Sequence, residues 1–133
     1  MSTNTEEAGL ASEVDAERQQ RPLYQVKADF FKGLAHPLRI RVLELLSSAD
    51  ERTVAELLEL TGLEASHLSQ HLAVLRRHRL VESERRGSLV YYRLAHREAA
   101  QLLVIARELL MRIADDEHSL REAARAMPPV EVN

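Results

Sequence analysis

Apolar side chains recur at helical spacing from residue 23 onward. Leu23, Val26, Phe30, Phe31 and Leu34 stand at i, i+3, i+4 intervals and predict a first amphipathic helix, with Gly33 near its end. In LAHPLRIRVLELL the positions Leu38, Ile40, Val42, Leu43, Leu45 and Leu46 predict a second, mostly buried helix ending at Ser47-Ser48. Pro37 fits its first helical position, where a missing N–H costs nothing, and His36 then falls at the cap. Thr53-Val54-Ala55-Glu56 matches a capping box, in which the Thr hydroxyl and the Glu carboxylate each satisfy an orphan N–H. Leu57, Leu58 and Leu60 follow, and Thr61-Gly62 stops this third helix within about two turns. Glu64 stands at the cap of a fourth helix, from about Ala65 to His78. Two helices joined by a short Gly-containing turn make the helix-turn-helix pattern.

The period then changes. Val81–Glu84 reads as a short strand, Arg85-Arg86-Gly87-Ser88 as a turn, and Leu89–Leu94 as a strand of β-formers; such a hairpin after the helix pair is a wing. From about Arg97 to Ala126 helical spacing resumes through Leu102, Leu103, Ala106, Leu109, Leu110 and Ile113, until Pro128-Pro129. The expected fold is mainly α with a small β-hairpin: a winged helix-turn-helix of order α-α-α-α-β-β-α. It occupies residues 22–126, between a flexible acidic tail (1–21) and a C-terminal tail (127–133).

The 133 residues suit one domain, and 45% apolar content suits a folded one. The chain has no cysteine, which excludes disulfides, thiolate metal sites and cysteine nucleophiles. The longest unbroken apolar run, Leu102–Ala106, is far short of a membrane span, and the N-terminus has no apolar signal-peptide core. A cytoplasmic protein is expected.

Net charge is −3, but its distribution says more than its sum. Residues 1–21 hold two Arg against five acids, and residues 98–133 four Arg against seven acids. Residues 76–97 hold seven Arg against only Glu82 and Glu84, a local net of +5. A solvated surface would mix the signs; this stretch does not.

The fourth helix carries the chemistry. At 100° per residue Ala65, Leu68, Leu72 and Leu75 share one sector, the buried face. Ser66, Gln70, Ala73 and Arg77 lie opposite, His67 and Val74 beside them, and Ser69 and His71 flank. Short, uncharged hydrogen-bonding groups with small neighbours are what a helix needs to read base edges in a major groove; Gln bonds adenine N6 and N7, and Ser serves several bases. Any one of these is as readily a tolerated surface residue. The set, on one face and beside a +5 stretch, points to DNA. Val74 is expected to pack against the wing. His67 and His71 are four apart but have no third ligand nearby, so they read as surface or DNA-side residues. Arg85 and Arg86, at the wing tip, suit phosphate or the minor groove, with a solubilising turn as the plainer alternative.

With these stretches in hand, the sequence resembles the ArsR/SmtB family of bacterial winged-helix repressors over about residues 22–125. The matching segments are FFKGLAHPLRIRVLELL (30–46), TVAELLELTGLEASHLSQHLAVLRRHRLV (53–81) and RRGSLVYYRL (85–94). The resemblance implies a homodimer through the first and last helices, repressing from a palindromic operator and released by a signal. It implies base contacts from Ser66, Ser69 and Gln70, and wing positions for Arg85 and Arg86; His67 and Arg77 complete the expected DNA-binding set. The long last helix agrees on a dimer, since it and the helix at 23–34 carry more apolar surface than so small a domain can cover.

The family's metal sites fare worse. Its cysteine pair on the third helix corresponds to Arg52-Thr53-Val54-Ala55-Glu56, without a thiolate. Its site on the last helix corresponds to His96, Glu98, Leu109 and Arg112, of which Leu and Arg cannot ligate. Glu64 replaces a small hydroxyl cap, and Ser88 a basic wing residue. Asp115, His118 and Glu122 share one helical face whose donors would suit zinc or nickel, though a solvated helix end is the favoured reading. No cofactor is expected. Nor is an enzyme: no nucleophile, base and orienting group come together and no Gly-rich phosphate loop is present. The alternative function is a winged-helix protein-interaction module without direct operator binding.

Overall fold

The computed structural model describes residues 20–126, so all but the last two residues of the 1–21 tail, the 127–133 tail and the Pro128-Pro129 stop lie outside the described residues. The elements are α1 (Leu23–Leu34), α2 (Pro37–Ser47), β1 (Arg52–Thr53), α3 (Val54–Thr61), α4 (Ala65–Arg77), β2 (Val81–Arg86), β3 (Leu89–Leu94) and α5 (Glu98–Ala126). The chain divides after Ala95 into two compact units, the second built on α5. Among the described residues no helix is long and apolar enough to cross a membrane.

Local chemistry sets the helix ends. His36 caps α2 as expected: its Nδ1 accepts the Leu38 N–H at 3.1 Å, with Pro37 in the first turn. Thr53 Oγ1 accepts the Glu56 N–H at 3.1 Å, but the Glu56 carboxylate does not complete a capping box; it lies 3.9 Å from Arg52 Nη1. Gly62, at φ 69°, donates its N–H to Leu58 O at 2.9 Å and turns the chain toward α4. Glu64 occupies the cap of α4 without a side-chain hydrogen bond.

The wing differs from the hairpin expected. β2 runs on to Arg86, and the turn is only Gly87-Ser88, so Arg85 and Arg86 are strand residues paired with Val90 and Leu89. A third strand is also present. β1 pairs antiparallel with β3, Arg52 opposite Tyr92 and Thr53 opposite Tyr91, which gives the order β1-β3-β2. Arg52 secures this strand to the end of α2, donating from Nε to Leu45 O at 2.7 Å and from Nη2 to Ser48 Oγ at 3.0 Å.

The core of the first unit is a leucine cluster. Leu43, Leu46, Leu57, Leu68, Leu75, Val42 and Val81 are fully buried, and Leu34, Leu45, Leu72, Leu80 and Tyr92 nearly so. Ala65, expected on the buried face, is exposed at the first residue of α4. The helices pack closely: a Cβ placed on Gly33 would stand 2.5 Å from the His78 ring.

A Schellman motif ends α4. The Arg79 N–H bonds Arg76 O and the Leu80 N–H bonds Leu75 O, both at 2.9 Å, and the buried Leu75 and Leu80 supply the accompanying apolar pair. The left-handed position is held by Arg79, at φ 58°, where a Cβ is disfavoured. Arg79→Gly is expected to raise stability by about 1 kcal/mol, read as a higher urea midpoint. A lower midpoint would mean that side-chain contacts hold Arg79 there.

In the second unit, α5 spans 29 residues and presents exposed apolar side chains along much of its length, including Ile105, Leu109, Ile113 and Leu120. His118 Nε2 lies 3.0 Å from Glu122 Oε1 on the exposed surface. Among the described residues no three metal-ligating side chains converge, at Asp115, His118 and Glu122 or elsewhere.

Candidate nucleic-acid interface

The burial of Leu68, Leu72 and Leu75 fixes the rotation of α4 about its axis, and so fixes what it turns outward. Ser66, His67, Ser69, Gln70, Ala73 and Arg77 are all exposed. Among the described residues none of the Ser66, Ser69 or Gln70 side chains is engaged in a hydrogen bond, so their donors and acceptors stand free. Val74 is half-buried.

His71 is turned elsewhere. Its ring packs against that of His36 with centroids 4.3 Å apart and 48° between the planes, so it faces the start of α2 instead of the outer surface. Burial, then the electrostatic influence of the basic neighbours His36, Arg39 and His67, holds its imidazole below the ordinary histidine value. The helical wheel placed His71 on a flank; only the tertiary structure shows which neighbour covers that flank.

The two wing arginines separate. Val81 faces the core, so period-2 alternation puts Ser83 and Arg85 on the core side of the sheet, and Glu82, Glu84 and Arg86 on the other. Arg86 is tied down there. Its guanidinium donates to both carboxylate oxygens of Glu51 at 2.7 Å, reaches Glu84 at 2.9 Å, and stacks 4.4 Å from the Tyr91 ring centre. Those carboxylates raise the Arg86 pKa further above its ordinary value, and the hydrogen bonds from Arg86 and Arg93 lower that of Glu84. The Glu51 contact spans 35 residues of sequence, and no local pattern signals it.

The +5 stretch is therefore not all available charge. Arg86 and Arg93 are spent on Glu51, Glu82 and Glu84. Arg76, Arg77, Arg79 and Arg85 are exposed, and among the described residues none of them makes an ion pair. Arg77 and Arg79, with His78, line a groove of about 310 Å³ against Val26, Asp29 and Phe30 of α1. Free cations thus lie at the C-terminal end of α4 and on the wing, beside the uncharged polar face.

Comparison with known proteins agrees with this geometry. The helix-turn-helix domain family matches residues 34–84. Rv0081 of Mycobacterium tuberculosis strain H37Rv, an HTH-type transcriptional regulator, is 49% identical over 109 residues, 81% of this chain and 95% of that protein. Its crystal structure aligns with a TM-score of 0.68 at 50% identity, covering 73% of this chain and 97% of that one. BigR of Xylella fastidiosa, a transcriptional repressor, aligns at 0.61 with 32% identity over 73% of this chain and 94% of its own. Mb0332 of Mycobacterium bovis, a homodimeric winged helix-turn-helix DNA-binding domain described as a possible ArsR-family regulator, aligns at 0.56 with 33% identity, covering 72% and 83%. On this identity and coverage, the chain belongs to the ArsR family of winged helix-turn-helix transcriptional regulators, a family of non-enzymatic proteins, and is a member without cysteine.

Proposed function

We propose that the protein is a homodimeric repressor that occupies a palindromic operator and is released from it by an effector. The observation that carries this is the outer face of α4: Ser66, Ser69 and Gln70, exposed and without protein partners, beside unpaired arginines. In this reading Ser66, Ser69 and Gln70 contact base edges, with His67 assisting. Arg77 and Arg85 neutralise phosphate. Arg86 acts at one remove: held by Glu51 and Glu84, it stiffens the wing that carries Arg85.

Self-association is supported by unpartnered apolar surface in each unit. Leu23, Tyr24 and Phe31 of α1 are exposed in the first, and Ile105, Leu109, Ile113 and Leu120 of α5 in the second. The homodimeric Mb0332 domain and the repressor BigR support the same assignment. A twofold dimer reads two half-sites whose centres lie about one helical turn apart. Selection from a random duplex library, with sedimentation of the resulting complex, tests this. The expected result is an inverted repeat with half-site centres about 10 base pairs apart, bound by two chains. Recovery of no repeat, or binding by a single chain, would contradict it.

A further inference from the structure

We propose that His36, Arg39, His67 and His71 form a subsite for a phosphate of the DNA backbone, and that the protein takes up a proton there on binding DNA. The inference rests on the docking of α4 proposed above and extends it from His67, at the border of the base-reading face, across the flank of the helix to the start of α2.

Four basic side chains converge from two helices. His36 and Arg39 come from the start of α2, and His67 and His71 lie one turn apart on one flank of α4. The His36 and His71 rings are in contact, and Arg39 and His67 are both close enough to act on His71. Among the described residues no carboxylate pairs with any of the four, whereas Arg52 has one such partner and Arg86 and Arg93 two each. Arg39 Nε is shielded from solvent and has no hydrogen-bond partner. His36 Nδ1 already accepts the Leu38 N–H, which leaves its Nε2 as the nitrogen able to donate. The cluster thus offers donors and positive charge but no anion. Beside a helix lying in a groove, the anion at hand is a backbone phosphate.

Proton linkage follows with a definite sign. Burial is the main influence that favours the neutral form of His71; the titratable and charged groups facing it, His36 and Arg39 from the start of α2 and His67 from α4, act in the same direction. In the free protein the folded pKa therefore lies below the unfolded one. The stability from this group is present above the ordinary histidine value, about 6.5, and is lost as pH falls through the folded pKa. A phosphate beside the cluster reverses the electrostatics and raises that pKa in the complex. DNA affinity then increases as pH falls between the bound and free values.

The test uses the full chain, the selected operator duplex, and fluorescence anisotropy between about pH 6 and pH 8, a window centred near the histidine range, at fixed ionic strength. Wild-type affinity is expected to rise on acidification, by at most tenfold per pH unit for one proton, and His71→Gln to flatten that slope. Arg39→Gln is expected to reduce the salt slope by about 0.9. Imidazole NMR of the wild-type protein reads the His71 pKa directly, independent of any variant's folding, and is expected to show it raised by DNA. An unchanged His71 pKa on adding DNA, or an undiminished slope in His71→Gln, overturns the subsite. Inorganic phosphate alone giving the same His71 shift would reassign the cluster to a free anion. No operator binding at any pH would overturn the docking of α4 itself, and the subsite with it.

Discussion

Leu75→Ala is expected to lower the unfolding free energy by about 2–5 kcal/mol. Leu75 is fully buried, and its carbonyl also accepts the Leu80 N–H that closes the end of α4. Truncation removes contacts with the leucine cluster and leaves a cavity beside the helix that carries Ser66, Ser69 and Gln70. The loss is a large part of the stability of so small a domain, commonly about 5–15 kcal/mol. Urea denaturation checks it. A change below about 1 kcal/mol would mean that the neighbouring side chains collapse into the space. DNA binding, measured where the variant remains folded, should weaken for every sequence alike, because the helix as a whole loses its seat.

Gln70→Ala should have the opposite profile. Gln70 is exposed, so stability is expected to change by less than about 0.5 kcal/mol. Operator affinity is expected to fall by about 1–3 kcal/mol, roughly 5- to 150-fold, while affinity for random duplex stays nearly constant. The pairing of a lost base contact with an intact fold distinguishes a base-reading residue from a structural one. Equal loss on both duplexes would place Gln70 on the phosphate backbone instead. The two variants together separate the two faces of one helix.

The faces of α4 were legible because both are set by the helical period. Leu68, Leu72 and Leu75 fix the inner side, and Ser66, Ser69 and Gln70 fall outside by arithmetic. Helix starts were legible for a similar reason, since a cap is a local event: His36 and Thr53 both stand at the caps where they were expected, and each side chain accepts an N–H from the first turn of its helix. What escaped was non-local. Two residues of β1 carry no period, and they are a strand only because Tyr91 and Tyr92 lie opposite them. Arg85 and Arg86 looked like turn residues because they are polar and precede glycine. They are strand residues because cross-strand partners and, for Arg86, the distant Glu51 hold them in register. Glu56 turned to Arg52 instead of completing its box once β1 brought Arg52 into place. The His36–His71 contact joins residues that no helical wheel relates, since a wheel gives a direction from its own axis and not the neighbour found there.

The effector side of the proposed function rests on different residues. The absence of cysteine excludes thiolate metal sensing, and Leu109 and Arg112 on α5 carry no metal-ligating group. His118 is engaged with Glu122 on the surface. Release of DNA by a ligand would have to act by stabilising a dimer geometry in which the half-site spacing is wrong.

The most direct measurement is a salt titration of affinity for operator and scrambled duplexes by fluorescence anisotropy. Tight binding to the operator is expected, weaker binding to the scrambled duplex, and a fall of log K with log salt of about 0.9 for each phosphate contact on both. Equal affinity for the two duplexes, or affinity insensitive to salt, would contradict a base-reading α4 flanked by phosphate-binding arginines.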